Sequence, residues 1–151
     1  MKLVSHNATQ TIRLGKRLAR HLKAGDIVCL FGNLGSGKTT FTKGIAEGLK
    51  IKKEKVNSPT FVLMNAHDGK LPLFHFDLYR LDDLKEIAAI GYEDFFYDNG
   101  VTVIEWADKL KKFLPKDYLA IHLSMKDKDR RVIEFSTNQK RSGEILKAFR
   151  L

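Results

Sequence analysis

The chain has 151 residues, 43% hydrophobic and 30% charged, a globular composition long enough for a single domain over 1–151 to bury about two-thirds of its unfolded surface. No apolar run approaches the roughly 20 residues that cross a bilayer, the N-terminus Met1-Lys2-Leu3-Val4-Ser5-His6 has no apolar signal core, and a lone cysteine excludes an internal disulfide framework. The expected compartment is therefore cytoplasmic; the net charge of +9, from 27 basic and 18 acidic residues, suits an anionic partner but comes with no RNA-recognition aromatic signature.

The first element is an amphipathic helix over residues 9–22, with Ile12, Leu14, Leu18, Ala19 and Leu22 apolar and Arg13, Lys16, Arg17 and Arg20 between them; Gly25-Asp26 ends it. The apolar run Ile27-Val28-Cys29-Leu30-Phe31 reads as a buried strand, which makes Cys29 a structural thiol rather than a reactive one. This strand feeds Gly32-Asn33-Leu34-Gly35-Ser36-Gly37-Lys38-Thr39, a complete G-x-x-x-x-G-K-[ST] phosphate loop, and a helix over 40–49 follows. In such a loop glycines let backbone N–H groups wrap a phosphate chain, the lysine reaches the terminal phosphates, and the Thr39 hydroxyl ligates the accompanying magnesium. A nucleoside triphosphate is the expected ligand, with Asn33, Leu34, Gly35, Ser36, Gly37, Lys38, Thr39 and Thr40 as its candidate contacts.

Beyond this helix the basic stretch over 50–55 reads as a surface connection, and Pro59 keeps Asn57-Ser58-Pro59-Thr60-Phe61 out of a regular helix. Two strands, over 61–64 and 71–78, are expected to pair across the turn His67-Asp68-Gly69-Lys70. Alternation along the second puts Phe74, Phe76 and Leu78 on one face and His75, Asp77 and Tyr79 on the other, so that Asp77 is the one carboxylate on an aromatic and imidazole face. His75 reads as a packed strand residue, because no second His or Cys lies at ligand spacing on that strand. Helices over 84–90, stopping at Gly91, and 92–96 precede Val101-Thr102-Val103-Ile104, a buried strand that ends in Glu105-Trp106. Strands over 118–125 and 131–135 and a helix over 142–149 close the chain.

This order predicts an α/β, P-loop NTPase-like three-layer fold with a mainly parallel central sheet plus antiparallel strands, and ligands in such folds sit at the carboxyl ends of the strands. Glu105 stands at such an end, where a carboxylate holds magnesium directly or through water beside Thr39, although Asp is the familiar residue there. Trp106 reads either as a ring stacked on a base or partner or as a core aromatic.

Ser58-Pro59-Thr60-Phe61, His75-Phe76-Asp77-Leu78-Tyr79-Arg80 and Ile104-Glu105-Trp106, in this order behind this phosphate loop, closely resemble the bacterial TsaE family, formerly called YjeE. The resemblance runs from Thr11-x-x-Leu14-Gly15 to the last strands. Asn33 and Ser36 depart from it, standing where the family usually has Asp and Ala in G-D-L-G-A-G-K. The resemblance implies an ATPase subunit of the machinery that makes N6-threonylcarbamoyladenosine on tRNA next to the anticodon. In that role it would bind TsaD, which transfers the group, and TsaB, with tRNA met indirectly or transiently. Thr11 and Arg131 are placed at the adenosine end by the resemblance alone.

Hydrolysis of ATP needs an oriented water and neutralised phosphate oxygens. The expected division of labour gives neutralisation to Lys38 and Mg²⁺, metal ligation to Thr39 and Glu105, water orientation or completion of the metal's outer shell to Asp77, and γ-phosphate sensing to Thr60. Arg80 reads as a structural ion pair ahead of a group that acts on phosphate, and with no clear arginine finger a slow, partner-stimulated turnover is expected. Three other classes stay open on sequence. A small-molecule kinase would need a lid, for which residues 126–131 are the candidate. A GTPase would need N-K-x-D, which is absent, and a pure nucleic-acid module would bind tRNA without the nucleotide site.

Overall fold

The apolar runs of the sequence become strands of one sheet. In the computed structural model, which describes residues 1–57, 63–89, 91–96 and 99–151, the strands are β1 (Lys2–Ser5), β2 (Ile27–Phe31), β3 (Met64–His67), β4 (Leu73–Asp77), β5 (Val101–Glu105), β6 (Leu119–Met125) and β7 (Arg131–Thr137). The helices are α1 (Ala8–Ala19), α2 (Lys38–Gly48), α3 (Leu84–Ala89), α4 (Tyr92–Phe96) and α5 (Lys140–Arg150), with 3-10 turns at Lys53–Lys55 and Ala107–Phe113. The motif at residues 58–61, with the expected γ-phosphate sensor Thr60, lies outside the described residues.

The strand order is β1-β7-β6-β2-β5-β4-β3. The middle four, β6, β2, β5 and β4, run parallel, while β1, β7 and β3 pair antiparallel at the flanks. Parallel neighbours need crossover connections and antiparallel ones need only short turns, so the connecting segments of the sequence and its two short turns sort every strand but β1, which joins β7 from the far end of the chain. Val28, Leu30, Val101 and Val103 pack on one face against Leu18 of α1, Phe41 and Ile45 of α2 and Phe149 of α5. Ile27, Cys29, Phe74, Phe76 and Ile104 pack on the other face against Tyr92 and Phe96 of α4 and Leu110. The result is an α/β, P-loop NTPase-like three-layer fold around a sheet that is parallel in its middle.

Two glycines set how α2 lies on α1. A Cβ on Gly44 would stand 2.2 Å from the carbonyl oxygen of Ile12, and one on Gly15 would stand 2.4 Å from that of Phe41. The helices therefore touch backbone to backbone, and α2 is held at a fixed height over the sheet.

Several boundaries differ from expectation. Helix α1 ends at Ala19 rather than residue 22, because the NH groups of His21 and Leu22 turn back to Leu18 and Ala19 in three-residue bonds; Leu22 is nonetheless buried, so its apolar spacing outlasts the helix. Helix α2 starts at Lys38 rather than residue 40, and α5 spans Lys140–Arg150 rather than 142–149. His67 belongs to β3, not to the turn, since its register partner is Leu73. The basic connection over 50–55 is more than surface, for Ile51 and Val56 flank its 3-10 turn from the core. Strand β1 has no signal of its own: only the neighbouring β7 makes its four residues a strand. No described helix is long and apolar enough to cross a membrane.

Candidate functional site

The phosphate loop leaves β2 and enters α2 through Gly35 and Gly37, whose φ angles of 80° and 101° lie in the left-handed region that a side chain would strain. Gly37 is the N-cap of α2 and no side chain caps that terminus, so the first-turn amides and the positive end of the helix face the cavity as an anion site.

Lys38, the first residue of α2, is only 5% exposed. Its Nζ donates to the carbonyls of Gly32 (2.5 Å) and Asn33 (2.9 Å) and to Ser36 Oγ (3.4 Å), and lies 4.0 Å from the centre of the Trp106 ring. Burial pulls its ammonium below the usual lysine range, against the opposing charges of Glu105, Asp77 and Asp108. Such a lysine is tethered to its own loop and held ready for an anion. Trp106 reaches over it because its backbone turns left-handed (φ 59°, ψ 41°) where β5 ends; Tyr79 packs against the same indole, with ring centres 5.0 Å apart.

Register places the two acids. On adjacent parallel strands Asp77 is directly opposite Glu105, both at the carboxyl ends. Glu105, 2% exposed, accepts from Thr39 Oγ1 on Oε1 (2.7 Å) and faces His75 Nε2 and Thr42 Oγ1 (3.4 Å) with Oε2. Asp77 Oδ1 accepts from the backbone NH of Tyr79 at 3.0 Å. The face expected to carry Asp77 among aromatic and imidazole groups is thus buried at His75 and Asp77, exposed at Tyr79, and joined by a second carboxylate. Among the described residues no three His, Cys, Asp or Glu side chains converge on a closed metal site. What converges is a hydroxyl and two carboxylates, an incomplete all-oxygen set that fits Mg²⁺, an ion that keeps waters and takes substrate phosphates.

These groups line a cavity of about 390 Å³, within the roughly 300–1,000 Å³ of small-molecule sites. Of the sequence candidates, Thr11, Leu34, Gly35, Ser36, Gly37, Lys38, Thr39, Thr40, Asp77, Glu105 and Arg131 all line it. Asn33 does not: it is exposed, and its contribution is the carbonyl that receives Lys38. Thr11 hydrogen-bonds Ser5 Oγ at 2.7 Å, and Arg131 Nη1 donates at 3.1 Å to the carbonyls of Asp127, Lys128 and Arg130, bracing the β6–β7 turn. Arg80 also lines the cavity. Tyr79, read on the face of Asp77, lines it as well, and Ala8, Lys128 and Asp129 line it without having been singled out individually; the last two lie in the 126–131 segment that was the candidate lid, while nothing in the sequence marks Ala8. Cys29 is fully buried, on the opposite face, and burial pushes its thiol far above the usual range, in keeping with a structural residue.

A family model described as threonylcarbamoyl adenosine biosynthesis protein TsaE matches residues 5–133. The chain is 43% identical over 131 residues to the tRNA threonylcarbamoyladenosine biosynthesis protein TsaE of Bacillus subtilis, covering 86% of this chain and 81% of that one. It is 42% identical over 123 residues to the protein of the same name from Treponema pallidum, covering 82% and 90%. Among solved structures it is similar to the crystal structure of Bacillus subtilis YdiB, with a TM-score of 0.84 at 34% identity over 99% of this chain and 93% of that one.

Proposed function

This chain belongs to the TsaE family, and from that premise we propose that it binds ATP with Mg²⁺ in the phosphate-loop cavity and hydrolyses it in support of threonylcarbamoyladenosine formation on tRNA. It acts with TsaD and TsaB and does not transfer the group itself. The observation that carries the reading is the contact of Thr39 Oγ1 with Glu105 Oε1 (2.7 Å) one residue from Lys38 and opposite Asp77. That constellation gathers the hydroxyl, cation and carboxylates of phosphoryl transfer at the uncapped start of α2.

The loop amides and α2 hold the phosphate chain, and Lys38 exchanges its loop carbonyls for terminal phosphate oxygens, neutralising charge as it develops. Thr39 and Glu105 would hold Mg²⁺, which when bound supplies further charge neutralisation at the phosphates. Asp77 orients the attacking water. Thr11 and Arg131 meet the adenosine end, Trp106 and Tyr79 shield the lysine from solvent, and Thr60 senses the γ-phosphate. The chain works as a single cytoplasmic domain, and its tRNA contacts are indirect or transient.

The test is the steady-state ATPase rate alone and with purified TsaD, TsaB and tRNA. A partner-dependent rise that is lost in Glu105→Ala is the expected result. No rise, with ATP consumed only when a small-molecule acceptor is added, would replace this reading by that of a kinase.

A further inference from the structure

A glutamate at the end of β5 has one more rotatable bond than the aspartate familiar at this place in phosphate-loop folds, so its carboxylate has more positions to leave than to occupy. Something has to choose among them. Oε1 points outward to Thr39 and Oε2 points inward, to His75 and Thr42. The Thr42 hydroxyl has one proton, and a 3.0 Å bond to the Lys38 carbonyl uses it, so its 3.4 Å approach to Glu105 is a weak restraint. The remaining anchor is His75, on β4 opposite Val103 and therefore diagonal to Glu105 on the same sheet face.

His75 is fully buried, and its Nδ1 has no hydrogen-bond partner among the described residues. A buried polar atom without a partner is costly, and an apolar side chain of similar size would avoid that cost. The imidazole has a use in the contact that it does make: an ionised carboxylate only accepts, so Nε2–H donates to Oε2.

We propose that His75 is the positioning residue of the magnesium-ligating carboxylate, pinning Oε2 of Glu105 so that Oε1 is presented beside Thr39. This rests on Glu105 being the metal ligand. Outer partners of this kind orient a ligand without touching the metal, and their loss typically lowers metal affinity about 10–100-fold.

Trp106 is the only tryptophan of the chain and lies against Lys38 in the cavity wall, so its fluorescence reports nucleotide binding without any turnover. ATP is titrated with Mg²⁺ and with EDTA into the wild type, His75→Leu, His75→Gln, His75→Asn and Glu105→Ala. The expected result is that Mg²⁺ tightens ATP binding in the wild type, and that His75→Leu forfeits about 10–100-fold of this increment while binding metal-free ATP normally. His75→Gln, whose amide reaches the place of Nε2, restores most of it, and the shorter His75→Asn does not. Should His75→Leu fail to fold, the contrast of Gln with Asn carries the same decision. A wild-type increment in His75→Leu alongside its loss in Glu105→Ala removes His75 from the site, as does Gln behaving like Asn. An increment that survives Glu105→Ala, or is absent in the wild type, overturns the reading of Glu105 and the proposal with it.

Discussion

Two carboxylates are buried at opposite rims of the same parallel sheet, and they are treated in opposite ways. Asp26, 5% exposed, precedes β2 at the amino ends of the strands. Its two oxygens take a bidentate guanidinium, Arg141 Nε at 2.8 Å and Nη2 at 2.6 Å, and the backbone NH of Lys23 at 2.7 Å. Glu105 is as deeply buried at the carboxyl ends, but what it meets is two hydroxyls, an imidazole and a cavity. Lys38 influences it electrostatically without an ion pair, its ammonium being bonded to the loop instead. The carboxylate that is paired with a cation inside the chain ties β2 to α5; the other borders the cavity. The amino end of the sheet therefore holds the paired acid, and the carboxyl end, where ligands of such sheets sit, holds the acid that faces the cavity.

The largest break of this contrast is expected from Glu105→Gln. ATP hydrolysis should fall by at least about 100-fold, while thermal unfolding shows an unchanged or raised Tm, since a buried charge without a cationic partner is removed. A large fall in Tm would make Glu105 a structural acid like Asp26. The converse substitution, Asp26→Asn, should lose about 2–3 kcal/mol in urea unfolding because it strands Arg141, which is partly solvated. Its nucleotide affinity by Trp106 fluorescence should match the wild type. Replacing both partners, Asp26→Leu with Arg141→Leu, should recover stability to within about 1 kcal/mol of the wild type, since neither charge is then left buried alone; double-mutant analysis of the same unfolding curves checks it.

The smallest effect belongs to an acid at the surface. Glu47 is bonded to Lys16 at 2.8 Å, and that hydrogen bond holds its carboxyl below the usual carboxylate range. A depressed folded-state value means that the contribution is complete above the unfolded value and fades as pH falls through the folded one. The small Tm difference between wild type and Glu47→Gln should accordingly be present at neutral pH, begin to fade only as pH falls past the ordinary glutamate value of about 4.3, be lost below the depressed folded-state value, and shrink in 1 M salt. A difference that grows on acidification would contradict this sign.

Much of the site was legible because its parts are local. The eight residues from Gly32 to Thr39 make their loop largely from bonds among themselves, such as Lys38 to Gly32, Asn33 and Ser36, and a strand before them with a helix after them is enough to read it. The alternation of Phe74 and Phe76 against His75 and Asp77 correctly separated two faces. It could not say that both would be buried, since Leu73 belongs to the core that α2 closes on one face and Phe74 and Phe76 to the core that α4 closes on the other. Strand β1 and the wall residue Ala8 had no local signal, because Lys2–Ser5 is a strand only by pairing with β7 and Ala8 meets the cavity only through the place of α1 over the phosphate loop. The reading of His75 as packing was sound for its strand and incomplete for its partner, which lies 30 residues away.

By itself the sequence determined where the phosphate loop lies, which strand and helix flank it, and which strand ends in a carboxylate, because those properties rest on spacings within single elements. The tertiary structure alone decided which acid would be answered by Arg141 and which by Thr39 and His75. Those pairings depend on strand order, on the β4–β5 register and on the glycine contact that seats α2 on α1. Contacts between residues 30 to 115 positions apart are set by how elements pack, which no local pattern encodes.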